Sequence, residues 1–287
     1  MNITTAAIIT DCADDNARAR QQLRFSSLFG IQPTFLGVGR EAPDIEAAGN
    51  LIDQLDALTN LPKSRSDKNL ESVILVNVAP RGDAVKKKWD NGTPFCYFRI
   101  NGTLVVSTYA GRSLGLAKAR GLVSDVQLMD IPTVMKAAVE WGELTQEQAT
   151  HVSQTQFRSY EFLPLAAYWL TSGRDVPATT APVETFDNSN GMVWCIDAFG
   201  NAKTTLRASD IDFEEGKTVT LADGQSAVCV RRLADVPKNT SALVIGSSGK
   251  DGDRFIELVV QWSDDGFHKS DSAASRHGLG VGSNVLA

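Results

Sequence analysis

The chain has 287 residues, 43% hydrophobic and 22% charged, with a formal net charge of −6. That length and composition suit two domains with real cores and exclude a disordered chain. The acidic balance argues against a nucleic-acid partner, whose binders carry basic surface.

The first elements alternate. Residues 4–11, "TTAAIITD", read as a buried strand ending on Asp11, and "NARARQQLRFSSLF" reads as a helix with Asp14 or Asp15 as N-cap and Gly30 as stop. Residues 33–39 form a second short strand, and residues 43–58 form a helix whose Ile45, Ala48, Ile52, Leu55 and Leu58 share one face. "SVILVNVA" at 72–79 is a β-branched apolar run of strand length. Strands alternating with helices predict an α/β N-terminal domain with a mainly parallel sheet. "PFCYFRINGTLVVST" predicts a hairpin about Asn101 and Gly102. "DIPTVMKAAVEWGEL" and "FLPLAAYWLTSG" are helical, the second closing on Gly173.

The texture then changes. Residues 174–191 are rich in Pro, Thr, Asp and Asn and lack an apolar period. Beyond them, "MVWCIDAFGNAKTTL", "KTVTLADGQSAVCVRRL" and "SALVIGSSGKDGDRFIELVVQW" are strand-turn-strand patterns. The expected division is therefore an α/β domain over 1–175, a linker over 176–190, and a small all-β, barrel-like domain over 191–287.

The four cysteines (Cys12, Cys96, Cys195, Cys229) have no CxxC spacing, and the three histidines (His151, His268, His277) are dispersed, so neither a disulfide framework nor a metal site is expected. "KKKW" at 86–89 reads as a solvated turn. The opening apolar run is too short and lacks a basic leader for a signal peptide, and no apolar stretch approaches 18 residues. A cytoplasmic protein without membrane contact is expected.

Three places gather polar residues at element ends. Asp11 follows an apolar strand at the edge where α/β sheets collect ligands, and a carboxylate there suits a ribose diol. In "CIDAFGNAKTT", Asp197 precedes a tight turn; Asn201 can read a purine edge with its amide, and Phe199 can stack on the base. An ordinary hairpin turn accounts for this stretch equally well. The third is "QFRSYEFLPLAAYWLTSG", where Ser159 at a helix start is either a plain N-cap or part of a site for an anion.

Together these segments resemble the S-adenosylmethionine hydroxide adenosyltransferases and the related chlorinase and fluorinase enzymes. "IITDCADDNARARQQL" is similar to the family's Thr-Asp opening, and "QFRSYEF" to its Phe-x-x-x-(Asp/Glu) segment. "IDAFGNAKTTL" is similar to its Ile-Asp-x-Phe-Gly-Asn-x-x-Thr-Asn motif, and "IGSSG", "FIELVV" and "SAASRHGLGVGS" to its C-terminal end. An insertion, "QWSDDGFHKSD" at 261–271, separates the last two.

The resemblance implies an enzyme of hydrolase or transferase type that works as a homotrimer, with S-adenosylmethionine bound between subunits as substrate and with no cofactor or metal. A nucleophile attacks ribose C5′ and methionine leaves. By motif match Asp11 would hold the ribose hydroxyls and Asp197 the methionine ammonium. Phe199 and Asn201 would contact adenine, and Ser247 or Ser248 the methionine carboxylate. Phe157, Arg158 and Ser159 would stand at the reacting centre. Two positions depart from the hydroxide-using members: Ala79 replaces an Asp, and Arg158 replaces a His. Ser159 matches the halide-using members, which have a Tyr where Ala79 stands. Water as nucleophile, a halide, and a non-catalytic binder of S-adenosylmethionine or adenosine are the three functions this pattern admits.

Overall fold

The computed structural model describes residues 3–59, 71–78, 93–109, 111–185, 187–262 and 269–287. The chain divides into two units, one of Met1–Val38 with Leu58–Thr185 and one of Gly39–Ala57 with Phe186–Ala287.

In the first unit, β1 (Ile3–Thr10) lies between β2 (Thr34–Gly37) and β3 (Glu71–Asn77), parallel to both. The connecting α1 (Asp15–Phe29) starts where the Asp14 carboxylate accepts from the Ala17 N–H at 3.0 Å. It stops where Gly30 takes φ 70°, a left-handed conformation that glycine adopts without penalty. β4 (Phe95–Ile100) and β5 (Thr103–Thr108) form the predicted hairpin, with Asn101 at φ 47° and Gly102 at φ 76°. β6 (Asp125–Met129) and β7 (Thr179–Pro182) complete the order β2-β1-β3-β5-β4-β6-β7.

The sheet is parallel from β2 to β5 and antiparallel from β5 to β7. It is thus mixed where a mainly parallel one was expected. A two-residue turn can only reverse the chain, so β4 enters antiparallel and the strands beyond it follow. β7 lies in the stretch read as a linker. Its Thr residues pair with β6, and its Pro182 is tolerated because the strand is at the sheet edge.

Among the described residues of this unit the hairpin is followed by α3 (Gly115–Ala119), α4 (Ile131–Glu140), α5 (Gln146–Gln154), α6 (Arg158–Glu161) and α7 (Leu163–Thr171). Ile8, Leu75, Val106, Phe162 and Trp169 belong to one core between sheet and helices.

The second unit is a six-stranded sheet of order β10-β11-β12-β13-β9-β8. Its strands are β8 (Val193–Ile196), β9 (Ala202–Arg207), β10 (Thr218–Thr220), β11 (Ser226–Val230), β12 (Ser241–Lys250) and β13 (Asp253–Val260). Among the described residues of this sheet, only β11 and β12 pair in parallel. Asn284 bridges to Met192 beside one edge strand, and Leu286 bridges to Leu221 beside the other, so the C-terminal tail links both edges in a barrel-like closure.

α2 (Pro43–Ala57) groups with this sheet, whereas the sequence reading set it in the N-terminal domain. Ala42 and Ile45 pack with Trp194. Asp53 accepts from the Gly249 N–H at 2.7 Å, and Asp56 pairs with Arg254 at 2.6 Å. A short α8 (Ala273–Arg276) precedes the tail.

The tail is also tied by His277, whose buried ring contacts Asp223 at 2.7 Å through Nδ1 and Ser241 at 2.9 Å through Nε2. Burial pushes the Asp223 pKa up, but the hydrogen bonds from His277 and the Gln225 N–H together outweigh it and hold the carboxyl below its usual value. A carboxyl with a depressed folded pKa stabilises the fold above its unfolded pKa of about 3.9, and that stability is lost as pH falls through the folded pKa. Asp223→Asn is therefore expected to melt below the wild type at pH 7, and the two curves should converge as pH falls through the folded pKa of Asp223. Thermal melts across that range measure this.

Candidate functional site

In the first unit, Asp11 directly follows β1 at the carboxyl edge of the parallel strands. Its N–H donates to the Asn77 carbonyl at 3.2 Å, and Thr10 Oγ1 accepts from Cys12 N–H at 3.1 Å and from Asn77 Nδ2 at 3.3 Å. Thus the neighbouring strand fixes the backbone that carries Asp11. The helix-capping role belongs to Asp14, so Asp11 is not held there as a cap. Asn77, buried at the end of β3, carries no sequence signal, because nothing in "ILVNVA" distinguishes it from a strand end.

Phe157 precedes α6, its N–H donating to Thr155 Oγ1 at 3.0 Å. Its ring is 60% exposed and lies 6.2 Å from that of Tyr160. The Arg20 guanidinium sits 4.0 Å from the Tyr160 ring centroid and donates to its hydroxyl. Phe157 is thus an exposed apolar surface held over the middle of α1.

Ser159 is half-buried inside the four-residue α6. The sequence offered it as the N-cap of the long apolar helix, but the chain breaks at Phe162 and α7 begins anew with Pro164 in its first turn. Ser159 therefore presents its hydroxyl from within one turn of helix and not from a helix start. Glu161 lies 3.0 Å from His151 Nε2. Burial pushes the Glu161 carboxyl up, and hydrogen bonds with Thr155 and His151 bring it below its ordinary value.

Arg158 turns inward. Its Nη1 donates to the Thr93 carbonyl at 2.9 Å, and its guanidinium lies 5.5 Å from the Phe95 ring centroid. Burial lowers its pKa. These contacts engage the group that the sequence placed among the reacting residues. Arg158→Ala leaves a buried carbonyl unpaired and is expected to cost about 1–3 kcal/mol of stability. It should leave ligand affinity within about twofold, a small fraction of the 1.4 kcal/mol that a tenfold change represents; denaturation with parallel calorimetry checks both. Ala79, the other departure, lies outside the described residues, as do Lys86, Lys87 and Lys88.

In the second unit, Asp197 joins β8 to the turn before β9. Its Oδ1 accepts from the Phe199 N–H at 2.8 Å and from the Asn201 N–H at 2.9 Å, and its Oδ2 accepts from Asn201 Nδ2 at 3.0 Å. The carboxylate thus shapes the turn itself. A carboxylate offers about four acceptor sites, so one more donor can be taken, such as an ammonium. Gly200 has φ 76°, and a side chain there would overlap Ser272. Its carbonyl accepts from the Ala274 N–H at 2.9 Å, which seats the turn on α8.

The result is a rigid loop bearing an exposed ring and a half-buried amide. Phe199 is 54% exposed. Asn201 spends one Nδ2 hydrogen on Asp197 and keeps Oδ1 and the other hydrogen, the donor-acceptor pair a purine edge matches.

Ser247 and Ser248, on β12, part company. Ser248 is buried and accepts from Lys203 Nζ at 3.0 Å, while Ser247 is exposed. Of the pair, Ser247 is the one able to meet a ligand. Lys203 also pairs with Glu257 at 2.9 Å. Burial works against the Lys203 charge, and the Glu257 carboxylate overrides it and raises the pKa. The Cys195 thiol, opposite Lys203 in the ladder, is pushed up to about 11, first by burial and then by Glu46, which favours its neutral form. Sequence reasoning missed Lys203, although it stands two residues after Asn201.

Among the described residues no group of three or more His, Cys, Asp or Glu is placed to hold a metal ion, and no helix is long and apolar enough to cross a membrane.

Comparison with known proteins bears on both units. Residues 191–286 match the family described as SAM hydroxide adenosyltransferase C-terminal domain. The fold is similar to that of an uncharacterized conserved protein from Thermotoga maritima, at TM-score 0.63 and 13% identity, covering 99% of this chain and 100% of that one. It is also similar to a conserved hypothetical protein from Thermus thermophilus, at TM-score 0.54 and 18% identity, with 99% and 100% covered. At such identities the likeness is one of fold. No curated protein sequence matches.

Proposed function

We infer, from the match of residues 191–286 to the SAM hydroxide adenosyltransferase C-terminal domain family, that this chain binds S-adenosylmethionine and catalyses substitution at its ribose C5′, with water as nucleophile. The observation that carries the reading is the loop from Asp197 to Asn201. It is built by its own carboxylate, bears an exposed aromatic ring, and ends in an amide with a donor and an acceptor to spare.

In this reading the adenine stacks on Phe199 and is read by Asn201. The remaining acceptor site of Asp197 takes the methionine ammonium, and Ser247 takes the carboxylate. Asp11 accepts from the ribose hydroxyls, and Phe157 with Ser159 faces the reacting carbon. S-adenosylmethionine serves as substrate, and neither cofactor nor metal takes part. The chain works as a homotrimer with each site between subunits.

The chemistry asks little of the protein. The sulfonium is already a good leaving group, so alignment and removal of bulk water supply most of the acceleration. A water oxygen attacks C5′ in line with the C5′–S bond. That bond breaks with its electron pair going to sulfur, the water loses a proton to solvent, and adenosine and methionine result.

One observation favours a second reading, binding without turnover. Arg158 stands where the hydroxide-using members carry a His, and its guanidinium is committed to Thr93 and Phe95. Incubation of the purified protein with S-adenosylmethionine, with and without chloride or fluoride, separates the readings. Adenosine and methionine support hydrolysis, and a 5′-halogenated nucleoside supports the halide-using relatives' reaction. Intact substrate with a raised melting temperature supports the binder. Intact substrate with no shift contradicts all of them.

A further inference from the structure

Phe199 does not stand alone. The ring of Trp262 lies 6.0 Å from it, centroid to centroid, with the planes inclined at 44°. Both side chains are exposed, Phe199 by 54% and Trp262 by 43%.

Both rings stand on fixed backbone. Phe199 is set by Asp197 and by the seat of the Gly200 turn on α8. The residue before Trp262 is locked on both sides, with the Gln261 N–H donating to the Thr240 carbonyl and the Gln261 carbonyl accepting from the Asn239 N–H at 2.9 Å. The two rings diverge as a wedge. A planar ring sandwiched between two others needs each about 3.5 Å away, so the indole must turn toward parallel and also draw back by about 1 Å from its 6.0 Å separation to admit a base. The amide of Asn201, two residues from Phe199, supplies the hydrogen-bonding edge beside it.

We propose that Trp262 is the second wall of a purine-base clamp, closing on the face of the base opposite Phe199. Trp262 lies at the start of the 261–271 stretch that the sequence reads as an insertion. The proposal rests on the adenosine-binding reading above and adds a division of labour. The two rings supply affinity that any purine can use, because every base has a π-face. Asn201 supplies the choice of base.

The full chain and its Trp262→Ala, Trp262→Phe, Phe199→Ala and Asn201→Ala variants are titrated calorimetrically with adenosine, inosine and methionine, after melting curves establish that each is folded. Trp262→Ala is expected to weaken adenosine and inosine alike by about tenfold, within the range of base–aromatic stacking. Trp262→Phe should retain adenosine affinity within about threefold, and methionine binding should not change with either. Asn201→Ala should instead change the adenosine-to-inosine ratio. If Phe199→Ala loses adenosine while Trp262→Ala binds it as the wild type does, the clamp is wrong and the adenosine reading stands. If the wild type binds neither nucleoside, the reading and the clamp fall together.

Discussion

Asp197→Ala is expected to weaken S-adenosylmethionine binding by at least about 100-fold, a loss of about 2.7 kcal/mol. Three hydrogen bonds end on this carboxylate, two of them from the backbone of the turn it creates. Bonds to a charged acceptor contribute about 1.5–3 kcal/mol each, so their loss frees the turn. Phe199 and Asn201 then sample many orientations, and the ammonium loses its partner.

Asp197→Asn separates these effects. Its oxygen still accepts from both backbone N–H groups, but its amide nitrogen faces Asn201 Nδ2, donor against donor. The turn should persist with a melting temperature near that of the wild type, while affinity falls between the other two. Calorimetry on the three proteins measures it. Unaltered affinity in Asp197→Ala would mean that the motif plays no part in the ligand site.

The second large effect concerns α2. A methyl at Gly49 would overlap the indole of Trp194, which is 3% exposed and has nowhere to move. Helix propensity alone would make Gly49→Ala favourable by about 1 kcal/mol. Overpacking of a tight core costs about 1–3 kcal/mol and sometimes more. Because the overlap is with a rigid ring, the net result is expected to be a loss of about 2 kcal/mol. The loss should vanish in a Trp194→Ala background, where the ring is gone. Chemical denaturation of the four proteins of that cycle provides the numbers, and equal losses in both backgrounds would show that Gly49 and Trp194 do not meet.

The strands and helices of the first hundred residues were legible because local signals agreed with the fold. Asp14 and Gly30 bound α1 as their chemistry predicts, and Asn101 and Gly102 turn the hairpin. Strand direction beyond that hairpin was not legible, since β6 and β7 pair by tertiary placement and β7 carries no apolar alternation. Nor was the attachment of α2 to the second sheet, which depends on a glycine that makes room for Trp194.

Of the candidate site, the loop from Asp197 to Asn201 was visible as a motif: it is a tight turn, and it leaves the Phe199 ring exposed. Side-chain direction was the hidden quantity. Arg158 follows an exposed Phe and precedes a half-buried Ser, yet it points inward to a backbone carbonyl. Ser247 and Ser248 are neighbours of one type, and strand alternation exposes one and buries the other.

The central claim is that this chain holds S-adenosylmethionine. Titration of the unmodified chain with S-adenosylmethionine by calorimetry tests it without assuming a nucleophile or a rate. The account predicts saturable binding of one molecule per chain, competed by adenosine. Absence of heat, of saturation and of any rise in melting temperature at high ligand concentration would contradict it.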